Sequence, residues 1–273
     1  MTQETDLSKL IANIHSSPKY QAIDIELIEK ISQTELAKRR NLKEAIKTSR
    51  SKLHQVVTSF ISSPLEFTEW ETELKGLSCD ISDPELQAFC LKVMKSHSST
   101  DERLPILREF YSTIFRDISP VESILDLACG LNPFALPWMP ISRDCPYYAF
   151  DVLPEMVVFI NKFLTHIGQK GKAFSLDLTS EIPKKTTQVT LLLKTFPTFD
   201  QIDKHRAAIL LERIKSQHLV VSYPVHSLGG KSKGMVENYT TRFDALTSNW
   251  DGMIQSFEFT TELAFLLTRK DSS

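Results

Sequence analysis

The apolar positions along the chain fall into two regimes. Up to about residue 100 they recur at intervals of three and four, which predicts helices at roughly 5–15, 23–32, 34–61, 65–76 and 84–96. Ser-Pro and Asp-Pro pairs at Pro18, Pro64 and Pro84 mark starts, because proline lacks the N–H that a helix interior requires. From Thr100 onward, short apolar runs alternate with amphipathic stretches. Helices are expected at about 101–115, 154–167 and 201–215, and strands at 123–128, 146–151, 172–177, 189–194 and 218–223, closed by a hairpin over 253–259 and 262–269. That succession predicts an α/β chain: a helical region over 1–100, then a mostly parallel sheet with an antiparallel edge over 101–273.

The stretch Ser123–Pro133, SILDLACGLNP, reads as a buried strand running into a turn of small residues and then a helix. Small side chains let a ligand approach the backbone N–H groups, and a helix N-terminus adds unpaired donors. Asp151 stands 21 positions past Gly130 at the tip of the next strand, where an acid holds the ribose hydroxyls of an adenosine cofactor. The turn lacks G-x-G-x-x-G, so a pyrophosphate is disfavoured. The phosphate-free tail of S-adenosylmethionine suits it instead. Asp177 ends the third strand, where it can meet the adenine amino group. Ligands of such sheets sit at the carboxyl ends of the strands, where Gly130, Asp151, Asp177 and Lys194 all fall.

Charge alters this picture locally rather than globally. Across 273 residues the net charge is only −2, so no overall basic field points to nucleic acid. On the expected third helix, however, Leu42, Ile46, Leu53, Val56 and Phe60 share one arc, and Arg39, Lys43, Lys47, Arg50 and His54 share another beside it. The acids cluster elsewhere, from Glu66 to Glu85, and this segregation fits a polyanion on the basic side. The four cysteines show no C-x-x-C pair and no metal-ligand rhythm, so reduced thiols and no metal are expected. No secretory signal and no apolar run near the roughly 20 residues of a membrane helix is evident, which predicts a cytoplasmic protein without a membrane partner.

The acceptor sets the catalytic group that methyl transfer needs. After the fourth strand the chain reads Lys194-Thr195-Phe196-Pro197, without the carboxamide or carboxylate that would hold an exocyclic amine. A pyrimidine C5 acceptor would need a Pro-Cys or Thr-Cys nucleophile, and none stands there. Guanine N7 carries a free lone pair and needs no base, only orientation. The loop Ser227–Met235, with three glycines and the pair Lys231 and Lys233, suggests a grip on a phosphate backbone, with Met235 near the reacting centre. Phe196 and Tyr239 are candidates to stack on an extruded base.

With these pieces the chain resembles the aminoglycoside-resistance 16S rRNA (guanine(1405)-N(7))-methyltransferases of the Arm/Rmt type over nearly its whole length. The resemblance rests on Lys19-Tyr20, Lys52-Leu53-His54, His97–Leu104, Ala128–Pro133, Lys194 with Pro197, Ser222-Tyr223-Pro224, Ser227–Gly230, Lys233-Gly234-Met235 and Asn238-Tyr239. It implies a Rossmann-like class I S-adenosylmethionine-dependent methyltransferase core behind an all-helical domain that grips the 30S subunit. Arg103 would pair with the cofactor carboxylate, Gly130 and Asp151 would hold its middle, and Asp177 with Leu178 would frame the adenine. Lys194 and Asp200 would complete the pocket, with Lys194 and Met235 positioning groups and no general base. Arg39, Lys43, Lys47, Arg50, His226, Lys231 and Lys233 would face 16S rRNA. Three positions depart from the family: Asp200 replaces Glu, His226 replaces Arg or Lys, and Lys231 replaces Arg, keeping charge without the bidentate fork. Two other readings stay open on the residues alone: a small-molecule methyltransferase with a helical lid, and an rRNA-binding module with a vestigial pocket.

Overall fold

Four consecutive buried residues, Ile124–Leu127, form the central strand β1, as an apolar run covered on both faces should. The computed structural model describes residues 2–17, 20–21, 23, 25–56, 60–202, 205–225 and 234–270. Around β1 lie β2 (Tyr147–Asp151), β3 (Gly171–Ser175), β4 (Val189–Leu193), β5 (His218–Pro224), β6 (Gly252–Glu258) and β7 (Glu262–Arg269), in the order β3-β2-β1-β4-β5-β7-β6. The pairs among the first five strands are parallel, and β7 runs antiparallel to both β5 and β6. Strand order reverses between β1 and β4, which opens a crevice at their carboxyl ends.

The N-terminal region holds α1 (Thr2–His15), α2 (Ile25–Lys38), α3 (Leu42–Val56), α4 (Phe67–Leu74) and α5 (Pro84–Met94). The single helix expected over 34–61 is divided. The segment from 34 belongs to α2, and Asn41 Oδ1 accepts from the Glu44 N–H at 2.9 Å to start α3. Arg39 therefore lies in the joint and Phe60 beyond α3, so neither rides on the helix that carries Lys43 and Lys47. The helix expected over 101–115 is also interrupted, because Pro105 cannot donate a hydrogen bond. It becomes α6 (Ser98–Asp101), a 3-10 turn at Leu104–Ile106 and α7 (Leu107–Ile114).

Beyond β1 the expected α-helix is a 3-10 segment, Asn132–Trp138, held to that form by Pro133 and Pro137. Next come α8 (Pro154–His166), α9 (Phe196–Ile202), α10 (Arg206–Arg213) and α11 (Met235–Leu246). The helix expected at 201–215 is thus two, and α11 was not foreseen.

One apolar core runs from Leu10 and Leu53 in the helical region through the sheet to Leu266, and a second lies on the other face around Leu192, Phe196 and Phe243. The first is sealed by aromatic rings: Phe134 stacks on Phe163 at 4.3 Å and on Phe159 at 5.1 Å, with Phe89 edge-on at 6.4 Å and Trp70 against Phe159 at 5.6 Å. These rings join α4 and α5 to α8 and to the segment that follows β1. Replacing Phe134 by Ala should cost about 3–5 kcal/mol of stability, read as a lower urea midpoint with an unchanged slope.

Candidate cofactor site

The crevice holds a pocket lined by Phe60, His97, Ala128, Asp151, Asp177 and Lys194. Its floor is strained. Ala128 (φ 51°) and Gly130 (φ 50°) after β1, and Lys194 (φ 55°) after β4, all hold left-handed backbone. Such a turn sends the chain sharply off the strand and leaves its groups facing the crevice.

At Gly130 a side chain would have no room. A Cβ would come within 2.9 Å of His97 Cε1 and Nε2, so the bare backbone forms a cradle beneath the imidazole. The Gly130 N–H donates to Asp151 Oδ2 at 2.8 Å, and the Leu153 N–H to Asp151 Oδ1 at 3.1 Å. Burial pushes the Asp151 carboxyl up from its ordinary value, against these N–H donors. The tip of β2 is thereby tied to the turn after β1.

Asp177 also faces the cavity, and Leu178 lies buried beside it. Its Oδ1 accepts from the Thr179 N–H at 2.8 Å. Its Oδ2 accepts from Thr179 Oγ1 at 2.7 Å, Ser180 Oγ at 2.8 Å and Lys30 Nζ at 3.2 Å. Burial pushes this carboxyl up, but the hydrogen bonds and Lys30 outweigh it and hold the group below its usual range. Asp177 therefore lines the pocket as an anion.

Lys194 lines the cavity with its ammonium neutralised: Nζ donates to Glu102 Oε2 at 2.7 Å and to the Ser99 carbonyl at 3.2 Å, with Glu262 Oε2 at 3.4 Å. Arg103 behaves differently from expectation. It is wholly buried, with Nε and Nη2 in a fork on Glu262 at 2.9 and 2.8 Å and Nη1 on Asn132 Oδ1 at 2.9 Å. The structure gives the guanidinium a protein carboxylate as partner, and Arg103 does not line the cavity. Its neighbour Asn132 donates to Asp126, whose carboxyl burial lifts to about 6.

Other expected positions sort as follows. Met235 opens α11 after Gly234 (φ 78°) and does not line the cavity. Phe196 fills the second core edge-on to Tyr223, and Tyr239 stacks on Tyr223 at 4.7 Å. Neither ring reaches the cavity, since both are spent on packing around Tyr223. The Asp200 side chain, His226, Lys231 and Lys233 lie outside the described residues. The sequence reading missed Glu262 and the wall made by His97 and Phe60, whose rings stack at 5.8 Å and 8°.

The basic stripe is smaller than expected. Arg39 is spent on the buried Glu35 (Nη2 to Oε2, 2.7 Å), which Lys52 also reaches at 2.7 Å. Burial pushes the Glu35 carboxyl up, and Lys52 and Arg39 overcome it. Arg50 donates to the Asn13 carbonyl at 2.9 Å. Lys43 and Lys47 stay exposed and, with Lys38 and Arg40, have no ion-pair partner among the described residues. Among those residues no His, Cys, Asp and Glu group could hold a metal, and no helix is long and apolar enough to cross a membrane.

Residues 16–266 match the model of a ribosomal RNA methyltransferase family, FmrO. The chain belongs to that family. It is 32% identical over 258 residues, 94% of each chain, to a 16S rRNA (guanine(1405)-N(7))-methyltransferase of Micromonospora echinospora. The crystal structure of the 16S rRNA methyltransferase RmtF in complex with S-adenosyl-L-homocysteine is similar, with TM-score 0.75, 26% identity, and 97% of this chain and 98% of that one covered. The 16S rRNA methylase RmtB shares the fold at TM-score 0.78 and 22% identity, over 97% and 98% of the two chains. The core of this FmrO-family protein is thus a class I methyltransferase fold, and S-adenosylmethionine is its cofactor. Asp151 at the end of β2 and Asp177 just past β3, both lining the pocket, are acids that fit that cofactor's hydroxyl and amino groups.

Two outcomes follow. Gly130→Ala must push His97 aside and hold a side chain at positive φ, costing about 1–2 kcal/mol of stability and weakening S-adenosylhomocysteine binding in calorimetry. Burial, with Lys194 and Arg103 adding to it, depresses the His97 pKa to about 4 from 6.5. The unfolded chain then takes up that proton first, so acidification through this window destabilises the native state. His97→Gln should lose less stability between pH 6.5 and 4 than the native chain, by at most about 1.4 kcal/mol per pH unit. Asp126 acts in the opposite sense, so urea midpoints of the two chains, compared pH by pH, isolate His97.

Proposed function

We propose that this chain transfers the methyl group of S-adenosylmethionine to N7 of guanine 1405 of 16S rRNA, in the assembled 30S subunit, and so confers resistance to aminoglycosides. The observation that carries this reading is the likeness to a named guanine(1405)-N(7) enzyme over 94% of both chains, helical region included. A fixed positive charge and a methyl group on N7 would remove an acceptor and repel a polycationic drug.

The site's chemistry agrees with an N7 acceptor. S-adenosylmethionine supplies an electrophilic methyl on a sulfonium, and N7 presents its lone pair in line without losing a proton. The protein's part is then orientation, which supplies up to ~7–11 kcal/mol of barrier lowering. Asp151 and Gly130 hold the ribose region and Asp177 the adenine, while Lys194, clamped by Glu102 and Ser99, shapes the mouth. Cys129 is the nearest thiol to this turn. Burial, with Asp151 and Asp126, pushes its pKa well above the ordinary value, which suits a packing role rather than a nucleophile.

The helical region, residues 1–100, carries the subunit in this reading, and 101–273 the chemistry. Lys38, Arg40, Lys43 and Lys47 are the phosphate contacts, with Lys231, Lys233 and His226, which precede α11 in the sequence, as further ones. Arg39 and Arg50 contribute by holding α2 and α3 in place. The test is primer extension after borohydride and aniline treatment of subunits incubated with protein and cofactor, with strand scission expected at guanine 1405 alone. Scission elsewhere, or none, would overturn the assignment. Reversing Lys38, Arg40, Lys43 and Lys47 to Glu together should abolish subunit methylation while S-adenosylhomocysteine binding persists. In the native chain the logarithm of subunit affinity should fall with that of salt by about 0.7–0.9 per phosphate contact. A flat salt profile would reduce the patch to a solvated face.

A further inference from the structure

Lys30 stands in the middle of α2, far in sequence from the sheet, yet its ammonium ends at the pocket. Nζ lies 2.8 Å from Thr179 Oγ1 and 3.2 Å from Asp177 Oδ2, bridging 147 positions of chain. The side chains are partly withdrawn from solvent, Lys30 40% exposed and Asp177 18%, so the pair is screened less than a surface one. Three donors converge on Asp177 Oδ2: Lys30, Thr179 and Ser180. Oδ1 receives the Thr179 N–H and keeps its second lone pair. The clamp thus fixes the plane of the carboxylate, and α2 supplies its one full charge.

The same helix continues through Glu35 to Lys38, next to the exposed cations of the α2–α3 joint. A single rigid element therefore spans from the adenine end of the pocket to the patch assigned to rRNA.

We propose that Lys30 is a positioning residue for the adenosine end of the cofactor, acting through Asp177 and thereby linking the helical region to occupancy of the pocket. This rests on the cofactor reading of Asp177 given above. It commits to a mechanism: Lys30 touches no cofactor atom, and removing it loosens the carboxylate that does. By linkage, whatever shifts α2 must alter cofactor affinity by the same factor that the cofactor alters the shift.

The test is a double-mutant cycle on S-adenosylhomocysteine affinity, measured by calorimetry on the native chain, Lys30→Met, Asp177→Asn and the double variant. Lys30→Met keeps the aliphatic stem, and its thermal midpoint reports folding. The expected result is an affinity loss of about tenfold for Lys30→Met, the size of one charged hydrogen bond partly offset by solvent. That loss should vanish in the Asp177→Asn background. In turnover the cofactor KM should rise while kcat stays near the native value, and Lys30→Arg should recover part of the loss. Equal loss in both backgrounds would show that Lys30 does not act through Asp177, and unchanged affinity in a folded variant would also overturn the proposal. Should Lys30→Met fail to fold, Lys30→Gln takes its place, and failure of that variant too would make the residue structural and sink the idea. A native chain that binds no cofactor would instead refute the reading of the pocket, leaving a distinct signature.

Discussion

A carboxylate without access to water must find cations, and the arrangement at the mouth of the crevice follows from where Glu262 finds them. It is wholly buried at the first position of β7, forked by Arg103, approached by Lys194 and capped by Ser222. Burial alone would drive this carboxyl to the neutral form, but Arg103 and Lys194 hold it below its ordinary value. Losing one partner of such a pair typically costs ~3–5 kcal/mol, because the other charge is stranded. Arg103 precedes the 3-10 turn leading into α7, Lys194 follows β4 and Ser222 lies on β5. One side chain thus fixes how the segment before the sheet, its middle and its last hairpin meet.

That network explains the limits of reading the site from the chain. Strand periodicity placed Gly130, Asp151, Asp177 and Lys194 at carboxyl ends, which the topology brings together, whereas Leu178 entered by family resemblance alone. Glu262 was not legible, since a single acid at the start of an edge hairpin has no periodic or motif signal. Arg103 was identified by family resemblance, yet its observed partner is set by a tertiary contact across 159 positions. Phe60 and His97 meet through an antiparallel bridge between Ile61 and His97, a pairing that neither local pattern announces.

The fold was legible to a similar depth. All seven strands stand where alternation and apolar runs put them. Errors gathered in the helices, where local chemistry overrides the wheel: Asn41 starts a new helix inside what reads as one, Pro105 interrupts another, and Pro133 with Pro137 keep a third in 3-10 form. The charge pattern misled for a related reason. Arg39 and Arg50 lie on the predicted basic arc, but only the packing of α1, α2 and α3 shows that Glu35 and the Asn13 carbonyl claim them. Of that arc, Lys43 and Lys47 are exposed and without an ion-pair partner among the described residues.

The position of Glu262 also governs when the molecule can become itself. Arg103 and Glu262 stand 159 positions apart, so the segment before the sheet and the antiparallel edge must both be synthesised before the guanidinium has an anion to close on. A nascent chain still lacking β7 carries a guanidinium with nowhere dry to go, and its parallel strands wait unlatched for the antiparallel hairpin. Assembly of the methyltransferase fold is thereby contingent on β7, and a polypeptide interrupted ahead of that strand is left with an unmatched buried cation in place of a latched sheet.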